Sequence, residues 1–284
     1  MVTGTNGKGC GTNNLVPFTK IYGNDEVCSL NKLFASTCLL IVALLMVGPA
    51  GAQDFKGAYI GGYAGGVKGS SDAFTSTVFS PTGYFALSSV PAIAAIGHQP
   101  LSPRGFNGGG TAGYNFQSGH WVVGVEADFG AMHVKDNAVG TATYPCCAPT
   151  SFTIKQTVNT DWLLTARPRV GWAAGGVMVY GTGGVAMTNF NYSEEFTDTF
   201  ASAHESASTS SLLTGWTAGG GVEFKVSSHW SLKGEYLFAD FGSGVKVTST
   251  NLTAPSTAPH PTNVFTHSAD LTAHLFRAGI NYHF

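Results

Sequence analysis

The chain has 284 residues and a formal net charge of −2, so it lacks the basic footprint that a nucleic-acid partner requires. Charged residues make up 11%, against roughly 25% in ordinary soluble domains. With 38 glycines and 12% aromatics this composition disfavours a helical enzyme, and an apolar share of 43% excludes a disordered chain.

In chain order, the first patterned segment is an apolar run from Leu33 to Val47, preceded by Lys32 and followed by Ala50-Gly51-Ala52. A basic flank, an apolar core of about 15 residues and small residues before a cut after Ala52 describe a secretory signal. That core is short for a bilayer span of roughly 20 residues. The expectation is a leader and signal peptide over residues 1–52 and one mature exported domain over 53–284. The polar stretch before Val27 is long for a signal. Val27 read as Met from an alternative start codon would leave Cys28 to Ala52 at ordinary length. Only Cys146 and Cys147 follow the cut, which fits an exported chain that is not a disulfide scaffold.

Beyond Ala52 no apolar run reaches the length of a transmembrane helix. The chain shows alternation with a period of two, the pattern of strands with unlike faces. Gly57 to Gly69 and Phe106 to Phe116 are weak, glycine-rich cases. In His120 to Gly130, Trp121, Val123, Val125, Ala127 and Phe129 share one face and oppose Glu126 and Asp128. In Asn159 to Ala174, Trp162, Leu164, Ala166, Val170 and Trp172 oppose Arg167 and Arg169, with Pro168 on the outer face. Val177 to Tyr192 is a third glycine-rich strand. In Gly215 to Val226, Trp216, Ala218, Val222 and Phe224 oppose Glu223 and Lys225. In Trp230 to Phe241, Trp230, Leu232, Tyr236 and Phe238 oppose Lys233 and Glu235. In Ala269 to Phe284, Phe276, Ala278, Ile280, Tyr282 and Phe284 oppose Arg277, Asn281 and His283.

The connections alternate in length. Gln117-Ser118-Gly119, Ala174-Gly175-Gly176 and Ser227-Ser228 are tight, whereas about 70–105, 135–158, 193–211 and 242–268 are long and rich in Ser, Thr, Pro, Ala and Gly. Short periplasmic turns and long outer loops are the outer-membrane arrangement. A soluble up-and-down barrel would place its apolar residues inside; here the face free of charge carries Trp, Phe, Val and Leu, which water would not tolerate. The fold class is therefore all-β, an eight-stranded antiparallel transmembrane up-and-down barrel, partnered by the outer-membrane lipid bilayer.

The stretch Gly215-Trp216-Thr217-Ala218-Gly219-Gly220-Gly221-Val222-Glu223-Phe224, with Trp230-Ser231-Leu232-Lys233-Gly234-Glu235-Tyr236-Leu237-Phe238-Ala239-Asp240-Phe241-Gly242, resembles the small outer-membrane β-barrel proteins of alphaproteobacteria, also labelled porin-family or opacity-type surface antigens. Tyr59-Ile60-Gly61-Gly62, Ala166-Arg167-Pro168-Arg169-Val170-Gly171, Tyr180-Gly181-Thr182-Gly183-Gly184-Val185-Ala186 and Arg277-Ala278-Gly279-Ile280-Asn281-Tyr282-His283-Phe284 match as well. Pro168 departs from the leucine or isoleucine expected there. The resemblance spans most of 55–284 outside the long connections. It implies an eight-stranded barrel in the cell outer membrane, members that act as abundant surface and envelope-integrity proteins, and for some members an association with haem. Ile280, Tyr282 and Phe284 on the lipid face of the last strand resemble the signal read by the outer-membrane assembly machinery.

Five basic residues (Arg167, Arg169, Lys225, Lys233, Arg277) face the same interior as Glu126, Asp128, Glu223 and Glu235. Glu126 and Asp128 could do acid–base work, but charges in a narrow barrel must be paired, and a lumen ion-pair network is the expectation. Cys146 and Cys147 are expected as an oxidised pair or two accessory thiols. His98, His204, His260 and His267 fall in predicted outer loops, where solvation is expected over haem or metal ligation. Ser228-His229 and His267-Ser268 lack an evident orienting acid. The sequence thus names no catalytic, cofactor-binding or metal-binding residue and no enzyme activity. It points to a structural or surface role in envelope integrity. The alternatives are a surface protein that binds haem or a host or phage partner through its loops, and a narrow low-conductance pore.

Overall fold

The computed structural model describes residues 54–255 and 258–284. The leader, the cut after Ala52 and the start at Val27 lie outside the described residues. In chain order the elements are β1 (Gly57–Thr77), α1 (Ser89–Gly97), β2 (His98–Leu101), β3 (Arg104–Ser118), β4 (Trp121–Thr143), β5 (Ser151–Ala174), β6 (Val177–Asp198), β7 (His204–Lys225), β8 (Trp230–Asp240), β9 (Val245–Ser249), β10 (Phe265–Ala269) and β11 (Thr272–His283). β1, β3 to β8 and β11 form an antiparallel ring, closed where β11 pairs with β1 from Tyr59–His283 to Ser70–Thr272. Closure leaves no open edge in lipid, where an unpaired backbone group would be costly. β9 and β10 prolong β8 and β11, and β10 continues the pairing along β1 from Ala73 to Thr77. The tight turn after β5 is made by Gly175 and Gly176, both at positive φ (58° and 84°), the backbone that a two-residue hairpin of matching twist demands.

Two zones of opposite polarity are stacked along this tube. In the zone next to the short turns, Trp121, Val123, Val125 and Phe129 of β4 point outward and are 58%, 51%, 59% and 60% exposed, while Glu126 and Asp128 are buried inside. On β7 the outward run from Leu212 to Phe224 rises roughly 30 Å, at about 3.3 Å per residue and a tilt near 40°. That matches a hydrocarbon core of about 30 Å. Beyond it the pattern inverts. Phe152, Ile154, Phe196 and Phe265 fill the interior, and Lys155, Ser206 and Ser208 face outward.

The inversion corrects the sequence reading of the long connections. Strand structure continues through most of 135–158 and 193–211, leaving Tyr144–Thr150 and Thr199–Ala203 as the links between strands. Outside the bilayer the outer wall meets water, so the lipid-facing pattern that marks a membrane strand vanishes while the backbone ladder carries on. At the boundary β5 also changes parity. Its inward residues are Phe152, Ile154, Gln156, Val158 and Thr160 above and Leu163, Thr165, Arg167 and Arg169 below. The register shifts there against both β4 and β6. The backbone N–H groups of Asp161 and Trp162 at this bulge donate to Asn189 Oδ1 at 2.9 and 3.2 Å, so both of these donors are satisfied.

Four layers follow one another inside the barrel. Phe55, Val122, Ala173, Met178 and Tyr180 cluster near the short turns. A charged layer comes next, then an apolar layer that includes Met132, Leu163, Phe190 and Leu275. The far mouth is filled by Phe85, Phe152, Phe196 and Phe265, and Ile93 of α1 packs among them.

Candidate functional site

The charged layer is built by strand register. Glu126 lies opposite Arg167 across β4–β5, Glu223 opposite Lys233 across β7–β8, and Glu235 opposite Arg277 across β8–β11. Unlike charges in directly facing positions attract and fix the pairing of the strands. The contacts then extend across the bore. Arg167 reaches Glu126 at 2.8 Å, Asp128 at 2.7 Å and Glu235 at 3.2 Å. Arg169 reaches Glu223 at 3.2 Å and Glu126 at 3.4 Å. Lys233 crosses to Glu126 at 2.9 Å, and Arg277 meets Asp128 at 3.0 Å and Glu235 at 3.7 Å. Glu126, Asp128, Glu223 and Glu235 are thus matched by Arg167, Arg169, Lys233 and Arg277, four charges of each sign, with side chains no more than 2% exposed.

Neutral groups complete the layer. The hydroxyls of Tyr59, Tyr180 and Thr165 donate to Glu126, Glu235 and Asp128 at 2.8, 3.0 and 2.6 Å. Arg169 Nε donates to Asn115 and Arg277 Nε to Asn107, both at 2.9 Å. Asn281 and Ser231 donate to Glu223, which His283 also contacts at 3.1 Å. The Arg169 guanidinium lies 4.6 Å over the Tyr59 ring and that of Arg277 4.3 Å over Tyr63. Gly113 faces Tyr59 and Gly221 faces Tyr180 across their ladders; a Cβ at either glycine would collide with the ring, so the bore has room for its tyrosines because these positions have no side chain. Sequence reasoning set Asn281 and His283 on the inner face but missed Tyr59, Tyr180, Asn107 and Asn115. Their inward parity was the available signal, and nothing distinguished them from filler.

Lys225 is a correction. It was placed in the interior with the other bases, yet among the described residues no carboxylate lies within ion-pair distance of it. Its Nζ is 3.5 Å from the Ser228 carbonyl and 5.4 Å from the centroid of the Phe55 ring. Lys225 is the last residue of β7 and only partly buried, so water at the short-turn end can solvate its charge.

Ile280, Tyr282 and Phe284 share the lipid side of the last strand. Phe284 is 71% exposed, and Tyr282 packs edge-on against Phe284 and Trp230 at 5.2 and 5.1 Å between ring centroids. At the opposite end Cys146 and Cys147 are disulfide-bonded to each other. His98 and His204 are exposed, and Ser228 Oγ lies 2.9 Å from His229 Nδ1 on an exposed turn.

His267 overturns the expectation of a solvated loop histidine. It belongs to β10, is fully buried, and has Glu194 and Glu205 at 3.7 and 3.6 Å. The paired extension of β1 and β10 turns it inward, and a stretch read as loop gave no parity from which to see this.

Comparison with known proteins agrees with this architecture. The family model described as outer membrane protein beta-barrel domain matches residues 37–284. The 31 kDa outer-membrane immunogenic protein of Brucella melitensis is 30% identical over 190 residues, covering 66% of this chain and 70% of that protein. The 22 kDa outer membrane protein of Rhizobium leguminosarum bv. viciae is 28% identical over 139 residues, 49% of this chain and 54% of that one. Among solved structures, Ail, the attachment invasion locus protein of Yersinia pestis, aligns over 81% of this chain and 100% of its own with 14% identity and a TM-score of 0.31.

Proposed function

Because the chain belongs to the outer membrane β-barrel family and resides in the cell outer membrane, we propose that it is a sealed, surface-displayed barrel that serves envelope integrity and neither conducts solutes nor catalyses a reaction. The observation that carries this reading is the charged layer. Four acids and four bases interlock across an eight-stranded bore with at most 2% side-chain exposure. Eight strands enclose a space just wide enough for side chains, whereas aqueous porin channels need about 16. Opening a path would break several buried ion pairs at once, each costing about 3–5 kcal/mol when one partner is lost. The aromatic cluster at the mouth adds a second barrier. The name of the Brucella relative, an outer-membrane immunogenic protein, supports display at the cell surface.

Liposomes carrying the purified protein should stay impermeable to mono- and disaccharides. A strain lacking it should leak detergents or dyes. Swelling at the rate of a known porin would defeat the sealed reading, and an unaltered permeability barrier in the deletion strain would defeat the envelope role.

A further inference from the structure

Above the membrane zone, three buried ionisable side chains from three strands converge: Glu194 of β6, Glu205 of β7 and His267 of β10, with side chains 0% exposed. One ligand atom from each lies within 4.8 Å of the others. We propose that this cluster is a binding site for a single divalent transition-metal cation, with Zn²⁺ its best-matched occupant, which fastens the β6–β7 wall to β10 in the outer part of the barrel.

Charge is the first argument. Two carboxylates are enclosed between apolar layers, and among the described residues no lysine or arginine lies within ion-pair distance of either. With both carboxylates ionised, even a protonated His267 leaves the group one negative charge in excess, so without a metal one carboxyl must keep its proton. A divalent cation with neutral imidazole brings the sum to zero. In the charged layer below, by contrast, every acid already has a cationic partner.

The second argument is the set of unused donors. Both oxygens of Glu194, Oε2 of Glu205 and Nε2 of His267 are buried without a hydrogen-bond partner. Buried polar atoms are ordinarily satisfied, and four orphans in one cluster call for an occupant.

The third argument is the tautomer of His267. Gln156 Nε2 donates to the Gly97 carbonyl at 2.7 Å, so its Oε1 accepts the Tyr192 hydroxyl proton at 2.8 Å. The Tyr192 oxygen is then free to accept from Thr75 Oγ1 at 3.4 Å, and Thr75 Oγ1 accepts from His267 Nδ1 at 3.0 Å. This chain puts the imidazole proton on Nδ1 and leaves a lone pair on Nε2, the arrangement that second-shell partners impose on metal-binding histidines. The Phe265 ring lies nearly parallel to the imidazole, at 5.9 Å and 8°, and steadies its plane.

Geometry and donor type select the metal. Tetrahedral zinc with bonds of about 2.0–2.1 Å holds its ligand atoms roughly 3.4 Å apart. Glu205 Oε1 is 3.6 Å from His267 Nε2, whereas Glu194 Oε2 lies 3.7 Å from Nδ1 of the same ring and would have to close toward the Nε2 side to join them. One nitrogen and two carboxylates suit zinc or a neighbouring transition metal better than calcium, which prefers six to eight oxygens. The competing occupant is a proton shared between Glu194 and Glu205.

The test uses the protein extracted from outer membranes in detergent, stripped with a chelator, titrated with ZnCl₂ and freed of loose metal by gel filtration. Elemental analysis should find one zinc per chain. Glu194→Gln and His267→Ala should each weaken binding by at least tenfold, and Thr75→Val, which removes the partner of Nδ1 together with the longer contact to Tyr192, by about tenfold. His204→Ala, at an exposed position, should leave it unchanged. Heat-dependent gel mobility reports independently that each variant is folded. Zinc retained equally by folded Glu194→Gln and His267→Ala would overturn the proposal. So would a stripped wild-type protein that takes up no zinc and shows the infrared carbonyl band of a protonated carboxyl that Glu194→Gln abolishes.

Discussion

Reversing the charge at Arg277 should destabilise the membrane zone far more than reversing a charge at the short-turn rim. Arg277 Nη1 is 3.0 Å from Asp128 and 3.7 Å from Glu235, and its Nε donates to Asn107. Removing one partner of such a buried pair costs about 3–5 kcal/mol. In Arg277→Glu the new carboxylate also faces Glu235 directly in register. Two like charges about 4 Å apart at an effective dielectric near 20 repel by roughly 4 kcal/mol. Relaxation and proton uptake will trim the sum, and a loss of at least about 4 kcal/mol remains, a large share of the 5–15 kcal/mol that typical folds possess. Urea titration in detergent micelles, read by the difference in mobility between unboiled and boiled samples, gives the midpoint. Lys225→Glu, outside the layer, should cost under about 1 kcal/mol. An Arg277→Glu midpoint equal to wild type, or an equal loss in Lys225→Glu, would refute the account of the layer.

Phe284→Ala should lower the outer-membrane level of the protein and leave material in the periplasm, since we propose that the lipid-side set Ile280, Tyr282 and Phe284 is what the assembly machinery reads; normal surface levels would contradict this. Phe196→Ala removes a fully buried ring that packs on Phe85, Phe152 and Phe265 at 5.5, 6.0 and 5.5 Å. It should cost about 3–5 kcal/mol, confined to the outer zone. Limited proteolysis between Tyr144 and Thr150 should rise while heat-dependent mobility stays, and unchanged cleavage would count against a separate outer core. Burial, with Glu205 beside it, pushes the Glu194 carboxyl up to about 10. A raised folded-state pKa gives stability that is complete below the ordinary value of 4.5 and lost as pH climbs through the folded one. Metal-free protein should therefore melt at a lower temperature as pH rises from about 4.5 to about 10, and Glu194→Gln should flatten that slope; equal slopes would speak against it.

The membrane zone was legible because lipid outside and ions inside leave opposite marks on alternate residues. Trp121, Val123, Val125 and Phe129 against Glu126 and Asp128 can be read from the sequence without any structure, and β8 and β11 read the same way. Inward parity shows that Arg167 and Glu235 share an interior, but not that Arg167 spans three acids or that Lys233 reaches Glu126 across the bore, because those contacts depend on barrel closure. The outer zone hid itself for two reasons. Its outward residues, such as Thr153, Lys155 and Thr157, resemble those of a solvated loop. The bulge at Asp161 shifts the alternation of β5 by one, so Phe152, Ile154 and Val158 fall out of phase with Leu163 and Arg167. Glu194, Glu205 and His267 lie in stretches read as loop, and only the long-range pairing of β1 with β10 brings His267 inward.

One continuous wall thus solves two solvent problems with opposite patterns. In the membrane zone the apolar side chains must face lipid, so the interior is left to polar groups, and these are tolerable only when each charge is matched. The four-against-four layer meets that condition. In the outer zone water takes the polar face and hydrophobic burial again supplies the cohesion, as in any soluble barrel. There Phe85, Phe152, Phe196 and Phe265 replace ion pairs as filling. A charged group on that side has no reason to be present for packing alone. The buried Glu194, Glu205 and His267 cluster, unmatched where apolar residues would have served better, is therefore the part of the interior whose composition the fold itself does not require.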